Sequence, residues 1–124
     1  MNNFNYNANA DNETRRLFIG IDVGSVSVKA VATDEYGKVY FEKYVRSEGD
    51  SYGAVLRVLT EFCERLPNAR VAGAAATGSG KELVSKALGA AGLNEIAAHA
   101  IAAWTIEPRV NSVIEIGGQD SKYI

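Results

Sequence analysis

The sequence has one cysteine, two prolines, one histidine and little net charge. Cys63 alone cannot form an internal disulfide, so nothing in the chain asks for an oxidising compartment. No uninterrupted apolar stretch approaches the ~20 residues that a membrane span needs. The 13 basic and 15 acidic residues nearly cancel, to a formal charge of −2, which leaves no electrostatic footprint for nucleic acid or an anionic membrane surface. The opening "MNNFNYNANADNETRR" lacks an apolar segment followed by a small-residue cleavage site, so it is not a secretory signal. Its Asn-rich composition predicts a disordered leader over residues 1–16. With 47% hydrophobic residues, the rest holds material for one compact core and not for two. The expectation is a soluble domain over residues 17–124, in a reducing compartment such as the cytoplasm.

From Leu17 the pattern becomes readable. "LFIGIDVG" predicts a buried central strand ending in a turn. "VSVKAVATD" alternates, with Val26, Val28, Ala30 and Ala32 on one face and Ser27, Lys29, Val31 and Thr33 on the other. "VYFEKYVR", rich in β-branched and aromatic residues, predicts a third strand and completes an antiparallel meander. In "SYGAVLRVLTEFCERL", Val55, Leu56, Leu59, Phe62, Cys63 and Leu66 fall at helical spacing, with Ser51 as the expected cap and Pro67 as the stop. "RVAGAAAT" predicts a strand and "KELVSKALGAAG" a glycine-closed helix. "NEIAAHAIAAW" predicts a helix capped by Asn94 and ending before Pro108. "SVIEIGG" predicts a last strand, and "QDSKYI" the start of a further one. The order βββ-α-β-α-α-β implies an α/β fold: one mixed sheet with helices on its faces. Ending where a hairpin has just begun, the chain reads as a fragment of a longer protein.

"AATGSGKE" looks like a loop that wraps a nucleotide phosphate. A Walker A loop needs Gly, four residues, then Gly-Lys-Ser/Thr. Here Ala75 stands where the first glycine belongs and Glu82 where the hydroxyl belongs. Ala75 disfavours a positive-φ turn, and Glu82 would set a carboxylate beside the phosphate charge. The Walker reading fails. A strand-to-helix turn, or a supporting place in a different nucleotide site, remains.

Two other stretches suit a phosphate better. "GIDVGSVSVK" puts Asp22 at a strand exit, Gly24 and Ser25 in the tight turn after it, and Lys29 on the returning strand. A carboxylate there can hold Mg²⁺ directly or through water, and the turn's N–H groups can face a phosphate oxygen. "VIEIGGQDSK" repeats the scheme with Glu115, then Gly117 and Gly118, then Gln119 and Asp120. Each alone reads equally well as an ordinary hairpin turn. Together they predict two acidic-then-Gly turns, at the ends of central strands of one sheet, converging on one ligand.

These stretches carry a resemblance. "GIDVGSVSVKAV", "ATGSGKELV", "NEIAAHAIAA" and "VIEIGGQDSK", in that order, resemble the family of 2-hydroxyacyl-CoA dehydratase activators and benzoyl-CoA reductase ATPase subunits, the BadF/BadG/BcrA/BcrD type. The family lies within the superfamily of acetate and sugar kinases, heat-shock chaperone ATPases and actin. The resemblance implies a ribonuclease-H-like lobe, the first of two that close over ATP and Mg²⁺. It implies a first phosphate segment around Asp22, Gly24, Ser25, Ser27 and Lys29, with Asp22 toward the metal. The second holds Glu115, Gly117, Gly118, Gln119 and Asp120, and the "ATGSGK" landmark contributes Thr77 and Gly78. Asp22, Glu115 and Asp120 are then the expected catalytic carboxylates.

Members of that family couple ATP hydrolysis to electron transfer from a [4Fe–4S] cluster, held between two subunits, into a partner dehydratase or reductase. The resemblance therefore also implies a C-terminal lobe and a homodimer for the full-length protein, with the cluster cysteines beyond Ile124. The departures are Val26 where Thr is usual and Lys81 where Arg is common. Cys63 matches no cluster ligand and is expected to be buried on its helix. His99 reads as a packed helix residue or a coupler of nucleotide state, and Glu95 as a first-turn carboxylate or a site contact. Trp104 reads as core or lobe-interface packing. Two alternatives stand beside the activator: a small-molecule kinase, which lacks a candidate aspartate base here, and a chaperone-like or actin-like nucleotide-switched module. The segment alone is expected to bind ATP poorly.

Overall fold

The computed structural model describes residues 14–124, so the first 13 residues of the leader expected over residues 1–16 lie outside the described residues. The first strand, β1 (Arg15–Val23), already includes Arg15 and Arg16, which corrects the expected boundary at Leu17. β2 (Ser27–Thr33) and β3 (Val39–Arg46) follow as the antiparallel meander. Helix α1 (Ser51–Arg65) then crosses over to β4 (Ala69–Thr77), which pairs with β1 in parallel. After α2 (Lys81–Leu88), a two-residue strand, β5 (Ala91–Gly92), adds to β4, giving the sheet order β3-β2-β1-β4-β5. Helix α3 (Glu95–Ile106) leads to β6 (Ile114–Ile116) and β7 (Ser121–Tyr123).

β1 alternates rather than burying both faces. Leu17, Ile19, Ile21 and Val23 point into the core with Val28, Ala30, Ala32 and Phe41, while Phe18 and Gly20 face the other way. On the core face α1 contributes Ala54, Val55, Val58 and Phe62, and α2 contributes Val84. Phe62 meets Phe41 edge-on, with ring centroids 5.4 Å apart. The apolar stripe of α1 is turned by about one residue from the expected one. Cys63 and Leu56 are exposed, because Phe62 and Val55 take the inward positions beside them. The cap differs too. Asp50, not Ser51, accepts the Gly53 N–H at 2.8 Å, so Ser51 is the first helical residue.

The end of the chain corrects the single-sheet expectation. β6 and β7 pair only with each other, as a separate two-stranded ribbon. Helix α3 starts as expected, Asn94 accepting from the Ile96 and Ala97 N–H groups. Apart from Glu95, His99 and Thr105 it is apolar, yet it has no fully buried residue, and Trp104 is exposed, so the core reading of that tryptophan does not hold. α3 lies over the sheet face opposite α1 and α2, leaving an apolar cavity of about 590 Å³ lined in part by Gly20, Val31, Ala75, Ala102 and Ala103. Among the described residues, no helix is long and apolar enough to cross a membrane.

Candidate functional site

Asp22 is the penultimate residue of β1, on the face turned toward α3. Its register neighbours are Lys29 on β2 and Thr77 on β4, so the three side chains form a row across the sheet. Lys29 donates to Asp22 Oδ2 at 2.9 Å. Asp22 Oδ1 is buried and has no hydrogen-bond partner among the described residues. A buried acceptor left unpaired costs about 1–3 kcal/mol, so this oxygen is a ready position for a hard cation or its water.

The turn after β1 is held by backbone and by residues the sequence did not single out. Gly24 N–H bonds the Ser27 carbonyl at 2.9 Å, closing the turn. Buried Ser47, just past β3, gives its N–H to the Val26 carbonyl at 2.9 Å and its hydroxyl to the Ser25 carbonyl at 2.8 Å. The hydroxyl of Ser51, freed from capping, reaches the Gly24 carbonyl at 3.4 Å. No motif marked Ser47. Its role becomes visible only once β3 is paired beside β2. Ser27 is itself buried and Val26 exposed, the reverse of the expected alternation, because β2 begins at Ser27 and Val26 belongs to the turn.

The "ATGSGK" loop turns out to be a clamp on β1. Gly78 has φ +87°, and a Cβ there would stand 2.6 Å from both Asp22 Oδ1 and the Val23 carbonyl oxygen. Gly80 N–H donates to the Val23 carbonyl at 2.9 Å and Lys81 N–H to the Gly78 carbonyl at 3.3 Å. Two amides that a Walker loop would offer to phosphate are thus already used, which gives the failed motif a structural reason. Thr77 donates its hydroxyl to the Leu93 carbonyl at 3.1 Å and lines the apolar cavity rather than the cleft, and Gly78 lines neither.

Although β6 is not in the main sheet, its turn reaches the first one. Gly118 packs on Val26 so closely that a Cβ would stand 3.0 Å from Val26 Cγ2. A cleft of about 420 Å³ opens between the two turns. Asp22, Gly24, Ser25, Ser27 and Lys29 line one side, and Glu115, Gly117, Gly118, Gln119 and Asp120 the other, with Ser79 between them and Glu95 and His99 reaching in from α3. Lys122, which the sequence reading passed over, also lines it. The hairpin register pairs Glu115 with Lys122, putting both on the inward face. Lys122 Nζ lies 3.0 Å from Asp120 Oδ1, 3.4 Å from Glu115 Oε2 and 4.0 Å from Glu95 Oε2. The Asp120 hydrogen bond, with the charges of Asp120 and Glu95 behind it, holds the Lys122 ammonium above the ordinary lysine range.

The geometry defines a class: an α/β lobe with a ribonuclease-H-like sheet, of the kind that forms one half of an actin-like ATPase. The profile of the BadF/BadG/BcrA/BcrD ATPase family matches residues 19–124, and the chain belongs to that family. It is 32% identical over 108 residues to the (R)-2-hydroxyglutaryl-CoA dehydratase activating ATPase of Acidaminococcus fermentans, covering 86% of this chain and 41% of that protein. The solved structure of component A of that dehydratase superposes with a TM-score of 0.76 at 30% identity, over 87% of this chain and 42% of that one. The activator of the 2-hydroxyisocaproyl-CoA dehydratase from Clostridium difficile, solved with bound ADPNP, gives 0.75 at 28% identity, over 86% and 40%. A ROK family transcriptional regulator, at 17% identity, 82% and 34% coverage and a TM-score of 0.57, shares the fold alone. The chain thus spans about two fifths of the length of its dehydratase-activator relatives.

Proposed function

We propose that this chain is the phosphate-binding lobe of an ATPase that couples ATP hydrolysis to electron transfer into a CoA-ester dehydratase or reductase. The observation that carries the reading is the convergence of two acidic-then-Gly turns on one cleft, in a chain whose relatives are dehydratase activators. The N–H groups of Gly118 and Ser25 suit phosphate oxygens, with Ser27 and Gln119 supporting them, while the Gly117 N–H closes its own turn on the Asp120 carbonyl at 2.8 Å. The unpaired Asp22 Oδ1 suits Mg²⁺, directly or through a water, and the ion would draw charge from the phosphate oxygens. An ion there would take most of its remaining ligands from phosphate and water. Glu115 and Asp120 flank the turn where an attacking water can be oriented.

Thr77 and Gly78 act in this reading by positioning β1, not by contact. A C-terminal lobe would close over the nucleotide, and a [4Fe–4S] cluster would sit between two full-length subunits. Cys63, the chain's one cysteine, cannot ligate such a cluster alone. The small-molecule kinase and chaperone-like readings have no cleft residue that favours them.

Paramagnetic Mn²⁺ in place of Mg²⁺ tests the site. With ADP present it should broaden the amide signals of Gly24, Ser25 and Gly78 first, and Asp22→Asn should abolish that selectivity. Broadening that is unchanged in Asp22→Asn would remove Asp22 from the metal's surroundings.

A further inference from the structure

The inner face of the β6–β7 ribbon poses a problem for an anionic ligand. Four carboxylates line the cleft, Asp22, Glu95, Glu115 and Asp120, against two ammonium groups, Lys29 and Lys122. Lys29 is committed to Asp22 at 2.9 Å on the far side. The other three carboxylates come from separate elements, Glu95 from the first turn of α3, Glu115 from β6 and Asp120 from the turn, and all lie within 4.0 Å of one nitrogen. Glu115 and Lys122 are mostly shielded from solvent, with side-chain exposures of 16% and 23%, so charges there are less screened than on an open surface.

We propose that Lys122 is the resident counter-cation of the cleft: a single ammonium that bridges Glu95, Glu115 and Asp120, offsets one of their three negative charges and so lowers the repulsion an anionic phosphate meets at the Gly117–Gly118 turn. The second half of this statement rests on the proposed function; the first does not. The sequence is built for it. Strand alternation sends Ile114, Ile116 and Tyr123 outward and only Glu115 and Lys122 inward, so the one basic residue of the ribbon faces the acids. Without it, three like charges would surround the turn, opposed by nothing nearer than the Lys29–Asp22 pair. His99, the remaining titratable group facing the cleft, is carried on α3 four residues after Glu95. Lys122 is a positioning residue in this account. It sets the charge of the turn and the posture of Glu115 and Asp120.

The test follows the side-chain carboxyl signals of Glu115 and Asp120 by ¹³C NMR at one fixed neutral pH, in the 124-residue chain and in Lys122→Met and Lys122→Arg. Both carboxyl signals should move in Lys122→Met, which loses the ammonium they contact, and stay near their original positions in Lys122→Arg. Ammonium chloride should return the Lys122→Met values toward the original ones, whereas tetramethylammonium chloride at equal ionic strength should not. Mg²⁺-ADP should bind Lys122→Met about tenfold more weakly or worse, a loss that ammonium relieves. If Lys122→Met does not fold, the unmodified chain still reports, since its Lys122 must release its proton above the ordinary lysine range. Glu115 and Asp120 carboxyl signals that are alike in all three chains would overturn the proposal. So would a binding loss shared by Lys122→Arg and untouched by ammonium. Carboxyl shifts as expected with no response to Mg²⁺-ADP in the unmodified chain would leave the counter-cation standing and remove the nucleotide reading.

Discussion

Gly78 shows how little side chain the junction between the strands tolerates. Its φ of +87° and the 2.6 Å approach of a built Cβ to two oxygens mean that Gly78→Ala combines backbone strain with a clash. A loss of about 1–3 kcal/mol is expected, read as a lower urea midpoint. A variant as stable as the parent would mean that the loop does not clamp β1. The glycine's importance was legible in "TGSG", but its purpose was not, because a motif does not say which carbonyl its amides already serve. Cys63 teaches the converse. Helical spacing placed it on the apolar stripe, and a rotation of about one residue, set by Phe62 packing on Phe41, put it outside. Lys122 was invisible for a related reason. Only the pairing of Glu115 with Lys122 reveals that the two share a face.

Among the elements, the meander and helices α1 to α3 were readable because alternation, caps and breakers agreed over many residues. The two-residue β5 and the separation of β6–β7 were not, since both depend on what the rest of the sheet offers as a neighbour. Helix α1 is tied to the sheet by more than its apolar face. Asp50→Ala removes its cap and should cost about 1 kcal/mol, measured by chemical denaturation, while Ser51→Ala should leave helix stability nearly unchanged. Equal losses in the two would return the cap to Ser51. On the same helix, Glu61 accepts from Lys43 of β3 at 2.7 Å. The Lys43 hydrogen bond, aided by Arg65, holds the Glu61 carboxyl below the usual glutamate value of 4.5. The folded value is the lower one, so this contribution is present above the unfolded pKa and fades as pH falls through the folded one. Glu61→Gln should therefore narrow the stability difference between neutral and acid solution, by a small amount because the pair is solvent-exposed. A variant whose stability falls with acid as steeply as the parent's would mean the pair contributes nothing.

At the scale of the whole molecule, one sheet face is closed by α1 and α2 and the other only loosely by α3, whose Ile101, Trp104 and Ile106 face solvent, as do Ile114 and Ile116 of the ribbon. Exposed apolar residues of this kind on a helix are suited to being covered, and a second lobe is the cover we propose. The cleft between the turns is then half of a closed site. ATP turnover by the 124-residue chain should accordingly fall far below that of an intact activator. The central claim is narrower: the two turns, and not the "ATGSGK" loop, receive the phosphates. An amide-resolved NMR titration with Mg²⁺-ADP tests it most directly. Gly24, Gly117 and Gly118, which line the cleft, should shift together along one binding curve while Gly80 and Lys81, which do not line it, move little. A response confined to Gly78, Gly80 and Lys81, with the other glycines silent, would contradict the account and return the phosphate to the loop.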